Sequence, residues 1–470
     1  MKTYNIVLDK PSVTWVITKG IDSRIDSEYY SSIYLKKQLI EQENPLDYCE
    51  LGSLGKGFSY GTPPYGNMAE QGVPYLRIPN IEDQFFLNDD LAFINEDYHL
   101  KNIRNEVDKG DILFRIKGQL GQAVVVPKRY AGAHTGSSFL KFTPTFIDPY
   151  FLVLYLSSSY GKNQILRKQS NSIIKYLNID DIKSIKVPVP SPEIQKYIGD
   201  KVRRAEELRE EAITLQKDID ILLDVDMLLE ETDRINNIFH SKVNWTNEIN
   251  IVDRIDPNFY QKKYRTTIEK LGDNKVELGE LVKISKRRYQ TGDINKYIEI
   301  SSINNSFGTI DEVEELRPEE IPTSAKHQVK EGDILVSLVR PTRKAISIVT
   351  KEYDNAICTG GFAVLQSKGK VPVEFLTAVL RTNFAGIQFE RYCTGSTYPT
   401  INENDVVKIF IPQYSEKQIN KITEKYRRII ESIYRSKKLI QEAKQDVEDL
   451  IEGNFEMSKL NNDSSTESRC

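Results

Sequence analysis

The chain carries Val13-Thr14-Trp15, followed nine residues after the tryptophan by Arg24-Ile25-Asp26-Ser27-Glu28-Tyr29-Tyr30. The same passage returns as Val243-Asn244-Trp245, followed at the same distance by Arg254-Ile255-Asp256-Pro257-Asn258-Phe259-Tyr260. The protein has only two tryptophans among its 470 residues, and the match puts both at equivalent places. A long internal repeat is the simplest explanation, and it must be recognised before any local structure is assigned.

The match continues in the same order through both halves of the chain. Residues 74–81 match 296–303, residues 109–113 match 331–335, residues 135–136 match 359–360, and residues 178–188 match 402–412. Short apolar alternations between turn residues surround these segments and predict strands joined by loops. A Gly-Asp pair before an apolar run is typical of a tight turn that leads into a buried strand, so we interpret Asp111 and Asp333 as turn residues.

Each half ends in a segment with a helical apolar pattern. In the first segment the pattern falls on Ile198, Val202, Ala205, Leu208, Ala212, Leu215, Ile219 and Leu222. In the second it falls on Ile419, Ile422, Tyr426, Ile429, Ile433, Ser436, Ile440, Ala443, Val447 and Leu450. Alternating steps of three and four residues are typical of a coiled coil, and they predict that the two helices pair with each other. Separate packing of each helix on its own domain is the alternative.

The predicted fold class is α/β (α+β). We expect two pseudo-repeated mixed α/β domains, separated by two long helices that pair as an antiparallel coiled coil. The predicted boundaries are 15–192 for the first domain, 193–232 for the first helical spacer, 233–245 for a linker, 246–412 for the second domain, 413–455 for the second spacer, and 456–470 for a disordered tail.

Composition excludes several classes of protein. The four cysteines are far apart and the four histidines are scattered, so we predict neither a disulfide framework nor a metal site. The sequence has no apolar run of the roughly 20 residues that a membrane span requires, and we expect a soluble, cytoplasmic protein with no membrane partner. The net charge of −4 leaves nucleic acid open as a partner, because only a local basic surface is needed to meet phosphates.

The repeated passages resemble the specificity (S) subunit of type I restriction-modification enzymes. The resemblance is carried by the Arg-Ile-Asp passages at Arg24 and Arg254, by Gly-Asp-Ile-Leu at Gly110 and Gly332, and by residues 394–402 leading to 411–412. It covers nearly the whole chain. It departs from the family pattern at residues 170–176, which replace the Gly-Ser-Thr-Tyr-Pro stretch of the second half, and at the helix starts, where the usual Glu-Gln pair is interrupted.

The resemblance implies a non-catalytic protein whose two target-recognition domains each read one half of a split, asymmetric sequence in double-stranded DNA. It also implies that two adenine-N6 methyltransferase subunits dock on the helices, with or without two restriction or translocase subunits. We expect no cofactor on this chain. S-adenosylmethionine, and ATP with Mg²⁺, are expected on the partner subunits only.

Basic and polar residues between the predicted strands are the candidates for DNA contact, because phosphates require Lys or Arg and base edges require donors and acceptors. In the first domain the candidates are Arg77, Arg115, Lys117, Gln119, Lys128 and Arg129. In the second domain they are Lys286, Arg287, Arg288, Arg340, Arg343, Lys344 and Tyr398. The sequence at 340–344 differs from that at 117–121, the corresponding place in the first domain, and this predicts two different half-sites.

Three other functions compete with this interpretation. Residues 62–65, Thr-Pro-Pro-Tyr, are similar to the catalytic loop of amino-methyltransferases, but that loop has Asp, Asn or Ser before the prolines, and no glycine-rich cofactor loop follows a predicted strand. A two-armed coiled-coil scaffold for other proteins would show the same heptads without needing basic loops at matching places. A DNA-recognition subunit of a methyltransferase complex not coupled to restriction would have the same sequence features.

Overall fold

The computed structural model describes residues 32–82, 85–86, 91–118, 120–168, 177–223, 254, 256–311 and 313–462. The chain forms two compact units. Unit 1 consists of Met1–Glu207 with Ser436–Cys470, and unit 2 is Leu208–Arg435. The passages around Trp15 and Trp245, the predicted linker 233–245 and the end of the predicted tail lie outside the described residues.

Among its described residues, unit 1 contains three small sheets and a hairpin. Its elements up to the first long helix are α1 (Ser32–Glu43), β1 (Tyr48–Glu50), α2 (Leu51–Leu54), β2 (Gly55–Tyr60), β3 (Met68–Ala69), β4 (Val73–Leu76), β5 (Ile81–Glu82), β6 (Phe85–Phe86), β7 (Ala92–Ile94), α3 (Glu96–Lys101), β8 (Ile112–Arg115), β9 (Ala123–Val125), β10 (His134–Thr135), β11 (Phe139–Pro144), α4 (Pro149–Ser157), α5 (Ser159–Arg167), α6 (Ile179–Lys183) and β12 (Lys186–Pro188). One sheet has the order β2-β11-β8-β9, a second has β10-β4-β7-β3 with β10 parallel to β4, and β1 pairs antiparallel with β12.

Unit 2 repeats the first four-stranded sheet and the two-stranded sheet of unit 1, and its second four-stranded sheet differs in the position of one strand. After α7 (Pro192–Leu223), the remaining elements are α8 (Lys262–Glu269), β13 (Lys275–Glu277), α9 (Leu278–Leu281), β14 (Val282–Ile284), β15 (Asn295–Ile298), β16 (Glu314–Leu316), β17 (Ala325–Gln328), β18 (Ile334–Ser337), β19 (Ile346–Ile348), β20 (Ile357–Thr359), β21 (Phe362–Ser367), α10 (Val373–Leu380), α11 (Asn383–Tyr392), α12 (Glu403–Val406), β22 (Phe410–Pro412), α13 (Glu416–Glu452) and α14 (Lys459–Asn462). The order β14-β21-β18-β19 reproduces β2-β11-β8-β9, β15 is parallel to β20 as β4 is to β10, and β13 pairs with β22 as β1 does with β12. The predicted mixed α/β class and its internal repeat are confirmed.

The Gly-Asp pairs form the predicted turns. Asp111 Oδ2 accepts a hydrogen bond from the backbone N–H of Asp108 at 2.9 Å, and Asp333 Oδ2 accepts one from Lys330 at 2.8 Å. Both aspartates are buried at the start of a buried strand, where their oxygens satisfy backbone donors that the turn leaves without a strand partner.

In each unit, one glutamine side chain forms hydrogen bonds with both backbone groups of a residue in the last strand. Gln164 on α5 donates to the carbonyl of Lys186 at 2.9 Å and accepts from its N–H at 2.8 Å. Gln388 on α11 donates to the carbonyl of Phe410 at 2.9 Å and accepts from its N–H at 2.8 Å. These paired bonds fix the last strand of the unit to a helix, immediately before the long helix begins.

The long helices pack against each other within both units. In unit 1 the start of α7, from Ile194 to Ala205, shares a core with Ile440, Ala443, Val447 and Leu450 near the end of α13. In unit 2 the later part of α7 shares a core with Ile422, Tyr426, Ile429 and Ile433 near the start of α13. The predicted antiparallel pairing is therefore confirmed.

Ion pairs flank this apolar contact in both units. Lys201 lies 2.5 Å from the buried carboxylate of Asp446, and Lys425 lies 2.6 Å from Asp218. At the end of the described helix, Leu223 is in the core and the predicted Leu222 is only partly buried, because a straight helix drifts against a strict heptad. Helix α7 starts at Pro192, and residues 224–232 of the predicted first spacer lie outside the described residues.

Replacing Gln388 with Met is expected to destabilise unit 2 by about 2–4 kcal/mol, because both backbone groups of Phe410 lose their partner. Gln164→Met is the matched variant in unit 1 and should cost less, since the Lys186 carbonyl keeps a 2.7 Å hydrogen bond from the Tyr155 hydroxyl. Differential scanning calorimetry of the two variants gives the comparison. An equal or larger loss in Gln164→Met would contradict this account.

Candidate nucleic-acid interface

Two loops of unit 2 are joined through their backbones. The first spans residues 338–345, between β18 and β19, and the second spans residues 394–400, after α11. The N–H of Arg340 donates to the carbonyl of Pro399 at 2.7 Å, and the N–H of Ile401 donates to Leu338 at 2.9 Å. Thr394 and Thr400 exchange backbone hydrogen bonds of 2.8 and 2.9 Å, which close the second loop on itself. The two loops therefore form one surface, which we call the paired-loop surface.

The paired-loop surface brings four of the predicted residues together. The Arg340 guanidinium lies 4.5 Å from the centre of the Tyr398 ring, and its Nη2 donates to the carbonyl of Thr397 at 3.0 Å. Tyr398 is 66% exposed, Arg343 is exposed, and Lys344 is half-buried on the same loop. The surface thus combines three cations with an exposed aromatic ring, which are groups able to meet phosphates, stack and donate to base edges.

Residues 340–344 of the first loop, which we call the basic loop, have an uncommon backbone conformation. Arg340 has φ 49° and Lys344 has φ 61°, both in the left-handed region, and they flank the short 3₁₀ turn Pro341–Arg343. This conformation costs a residue other than glycine roughly 1–2 kcal/mol. Contacts from outside the loop must therefore hold it, and one such contact comes from a residue that our sequence analysis missed.

Arg381 is that residue. It caps the C-terminus of α10, is only 5% exposed, and donates from Nη1 to the carbonyls of Lys344 at 2.8 Å and Ile346 at 3.2 Å. Its Nη2 donates to the carbonyls of Asn305 and Ser306 at 2.8 and 2.9 Å. An arginine after an apolar helix is typical of an ordinary cap, so the sequence carries no signal for this role.

The basic run at 286–288 divides between the interior and the surface. The Arg287 guanidinium forms an ion pair with the buried carboxylate of Asp333, and its Nε donates to the carbonyl of Gln328 at 3.4 Å. Lys286 and Arg288 are exposed. The structure therefore ties Arg287 to the turn before β18, and it presents Lys286 and Arg288 to solvent.

The candidates of unit 1 lie on three separate segments. Arg115 folds back on its own loop, donating from Nε to the carbonyl of Lys117 and from Nη1 to the Gln122 side chain, both at 3.0 Å, and partial burial lowers the pKa of its guanidinium. Lys117 is exposed beside it, and Gln119 lies outside the described residues. The other candidates are Lys128 and Arg129, exposed on the 3₁₀ turn Lys128–Tyr130, and Arg77, half-buried at the start of the 3₁₀ turn Ile78–Asn80.

A buried polar network anchors the loop after β2 in unit 1. The Thr62 hydroxyl contacts His134 Nε2 at 3.2 Å and accepts from Asn105 at 2.8 Å, and its carbonyl accepts from the Tyr75 hydroxyl at 3.0 Å. His134 also contacts His99, Nδ1 to Nδ1, at 3.2 Å. Burial, and then the neighbouring His99, lower the pKa of His134 to about 4. The network fixes the base of this loop, and Tyr65 near its tip is 77% exposed.

This loop occupies the same place in the repeat as the basic run of unit 2. The N–H of Gly61 donates to Phe139 on β11, and the N–H of Ser285 donates to Val364 on β21. Thr-Pro-Pro-Tyr therefore stands in unit 1 where Lys-Arg-Arg-Tyr stands in unit 2.

Within the described part of the chain, no group of three or more His, Cys, Asp or Glu residues could hold a metal ion, and no helix is long and apolar enough to cross a membrane.

A family model described as the type I restriction modification DNA specificity domain matches residues 47–219, which cover most of the described part of unit 1. The chain is similar to that family over these residues. The resemblance inferred from the repeated passages is thereby confirmed for this part of the chain. Unit 2 lies mostly outside the matched residues, and its β14-β21-β18-β19 sheet has the strand order of the β2-β11-β8-β9 sheet of unit 1.

Two curated relatives share part of the sequence. The chain is 28% identical over 184 residues to the type I restriction enzyme EcoBI specificity subunit of Escherichia coli, an alignment covering 39% of this chain and 36% of that protein. It is 29% identical over 199 residues to the putative type I restriction enzyme MjaX specificity subunit of Methanocaldococcus jannaschii, covering 42% and 43%. The alignments therefore span less than half the length of either relative.

A solved structure is similar over most of the chain. The crystal structure of the S subunit of a type I restriction-modification system from M. genitalium matches 88% of this chain and 97% of that chain, at 15% identity and a TM-score of 0.43. The two-unit architecture of the present chain is seen in its own compact units and strand pairings.

Arg343→Ala is expected to weaken DNA binding and to reduce the slope of log K against log salt by about one, because one phosphate contact is lost. Lys370→Ala is the matched control, since Lys370 is an exposed cation of the same unit outside both paired loops. Fluorescence anisotropy with a labelled duplex at several salt concentrations measures both variants. Equal slopes in the two variants would remove Arg343 from the interface.

Acidification should destabilise unit 1 through His134. Between pH 6.5 and about 4 the unfolded chain binds a proton at this histidine that the native state excludes, so stability falls as the pH is lowered through this window, by up to about 3 kcal/mol. His134→Gln removes the titrating group and should flatten this dependence. Urea unfolding at pH 7 and pH 5 tests it, and an unchanged dependence in the variant would rule out His134 as the source.

Proposed function

We propose that this chain is the DNA-recognition subunit of a type I restriction-modification complex. The paired-loop surface carries the proposal, because Arg340, Arg343, Lys344 and Tyr398 form a basic and aromatic surface on loops of a rigid sheet scaffold. Such a surface can meet the DNA backbone with its cations and reach base edges with guanidinium groups. The specificity-domain family of residues 47–219 supports the same function.

We infer that the target is a split and asymmetric sequence in double-stranded DNA. The β2-β11-β8-β9 sheet of unit 1 and the β14-β21-β18-β19 sheet of unit 2 have the same strand order, and each unit presents loops at the same two places, after β2 or β14 and after β8 or β18. The side chains in these loops differ, with Thr-Pro-Pro-Tyr against Lys-Arg-Arg-Tyr at the first place. Since different side chains meet different base edges, the two half-sites are unlike each other and a palindromic target is disfavoured.

The chain itself performs no chemistry in this proposal. Two adenine-N6 methyltransferase subunits dock on the long helices and bring S-adenosylmethionine, and restriction or translocase subunits that use ATP and Mg²⁺ join them. The names of the two relatives, both specificity subunits of restriction enzymes, support partners of this kind. The pairing of α7 and α13 in each unit supports helices that connect two reading units.

Mapping N6-methyladenine across the genome of the host, with and without this gene, tests the function directly. Deletion is expected to abolish methylation at one split motif with unlike halves, and complementation with the intact gene is expected to restore it. A challenge with unmethylated plasmid in the same strains reports restriction.

The outcomes separate the alternatives. Loss of methylation together with loss of restriction supports the full proposal, while loss of methylation alone indicates a methyltransferase complex not coupled to restriction. Unchanged methylation, with the methyltransferase gene expressed, refutes DNA recognition by this chain and leaves a protein-interaction scaffold.

A further inference from the structure

We propose that Arg381 is a positioning residue for DNA reading, which fixes the backbone of the basic loop 340–344 and thereby sharpens base discrimination in the half-site that unit 2 reads. The inference rests on the proposed function and adds a role for a residue that is buried inside unit 2. Arg381 acts through the paired-loop surface, because its guanidinium donates hydrogen bonds to backbone carbonyls inside the unit.

The contacts of Arg381 fall where the basic loop is most strained. Lys344 has φ 61°, and its carbonyl accepts from Arg381 at 2.8 Å. The Ile346 carbonyl, at the start of β19, accepts from the same nitrogen at 3.2 Å. One guanidinium thus ties the end of the strained turn to the strand after it, so the loop cannot relax toward an extended backbone without breaking a buried charged hydrogen bond.

The other side of the guanidinium is fixed independently of the loop. Nη2 donates to the carbonyls of Asn305 and Ser306, in the segment between β15 and β16. A Cβ on Gly308 would lie 2.7 Å from Arg381 Nε, from Nη1 and from the hydroxyl of Tyr426. Tyr426 is a fully buried residue of helix α13. The guanidinium is therefore confined between a glycine and a helix, and it holds the loop against this fixed background.

Base discrimination depends on such confinement. A guanidinium pairs with two acceptors on one base only if its position is fixed, and a loop that is free to move can form alternative contacts with a mismatched base. Arg340 is at the first strained position of the loop that Arg381 holds. Loosening the loop should therefore reduce discrimination at the bases it reads and leave the phosphate attraction in place.

Arg381→Lys, Arg381→Met and Gly308→Ala test the role. Lysine keeps the charge and cannot span four carbonyls, and methionine removes both the charge and the donors. An alanine Cβ at residue 308, where φ is 71°, clashes with the guanidinium and strains the adjoining backbone while leaving Arg381 itself present. Arg391→Met is the matched control. Arg391 is a half-buried arginine of the same unit whose Nε donates to the carbonyl of Phe259 at 3.2 Å and whose guanidinium lies 4.1 Å from that ring.

The readout is the methylated motif in strains that carry each variant with its natural partner subunits. All three test variants are expected to extend methylation to sequences mismatched in one half of the motif, lowering discrimination there about tenfold, while the other half keeps its stringency. The unaltered half is an internal control, since a fall in folded protein would reduce methylation at every site without changing the motif. Arg391→Met is expected to leave both halves unchanged.

Thermal unfolding of the purified variants accompanies the mapping, so that discrimination can be compared between Arg391→Met and a test variant of similar stability. Where Arg381→Met fails to accumulate, Arg381→Lys and Gly308→Ala decide the matter. An unchanged motif in those two variants, or equal relaxation of both halves, overturns the role of Arg381 alone. A wild-type strain with no split motif overturns the proposed function, and the two failures are thereby distinguished.

Discussion

Each unit depends on an apolar contact between helix segments that are far apart in the sequence. The core of unit 1 is completed by Ile440, Ala443 and Val447 of α13, more than 230 positions beyond the segment of α7 they contact. The core of unit 2 is completed by residues of both helices in the same way. Neither sheet system therefore buries its apolar surface with its own repeat alone, and folding of each unit requires a helix that the other half of the sequence supplies.

The pairing of the first and last strands connects the helix contact to the rest of each unit. In each unit the first strand pairs with the last, β1 with β12 and β13 with β22, and the last strand leads directly into a long helix. Gln164 and Gln388 fix that last strand to a neighbouring helix through both backbone groups of one residue. The helix contact, the pair of first and last strands and the glutamine hydrogen bonds together stabilise each unit. The loops at other edges of the sheets can therefore differ between the units.

Periodicity and position in the repeat made part of the structure predictable from the sequence. The helical seam was predictable because residues such as Ile198 and Ile429 recur at steps that only a helix brings to one face, and both are fully buried. The turn role of Asp333 was predictable from Gly-Asp before an apolar run. Which cations face solvent was not predictable, because Lys286, Arg287 and Arg288 look alike as a charge run, and only the fold brings Asp333 to the middle one.

Arg381 shows the same limit more sharply. Its four acceptors are backbone carbonyls of residues 305, 306, 344 and 346, and a carbonyl is common to every residue type, so no pattern of side chains could reveal the contact. What the sequence did contain was the set of basic and aromatic side chains on the loops. Four of these meet on the paired-loop surface because backbone hydrogen bonds, such as that from Arg340 to Pro399, join two segments more than 50 residues apart.

The strain at Arg340 and Lys344 gives these interior contacts a functional meaning. Two left-handed residues cost the folded state roughly 2–4 kcal/mol together, and a flexible basic loop would avoid that cost. A flexible loop, however, pays its ordering entropy when it binds, about 0.5–1.5 kcal/mol for each long side chain immobilised, and it does so for correct and incorrect sequences alike. When the loop is already ordered in the folded protein, binding requires no further ordering of its backbone. The affinity then depends on how well the target matches a surface that already exists.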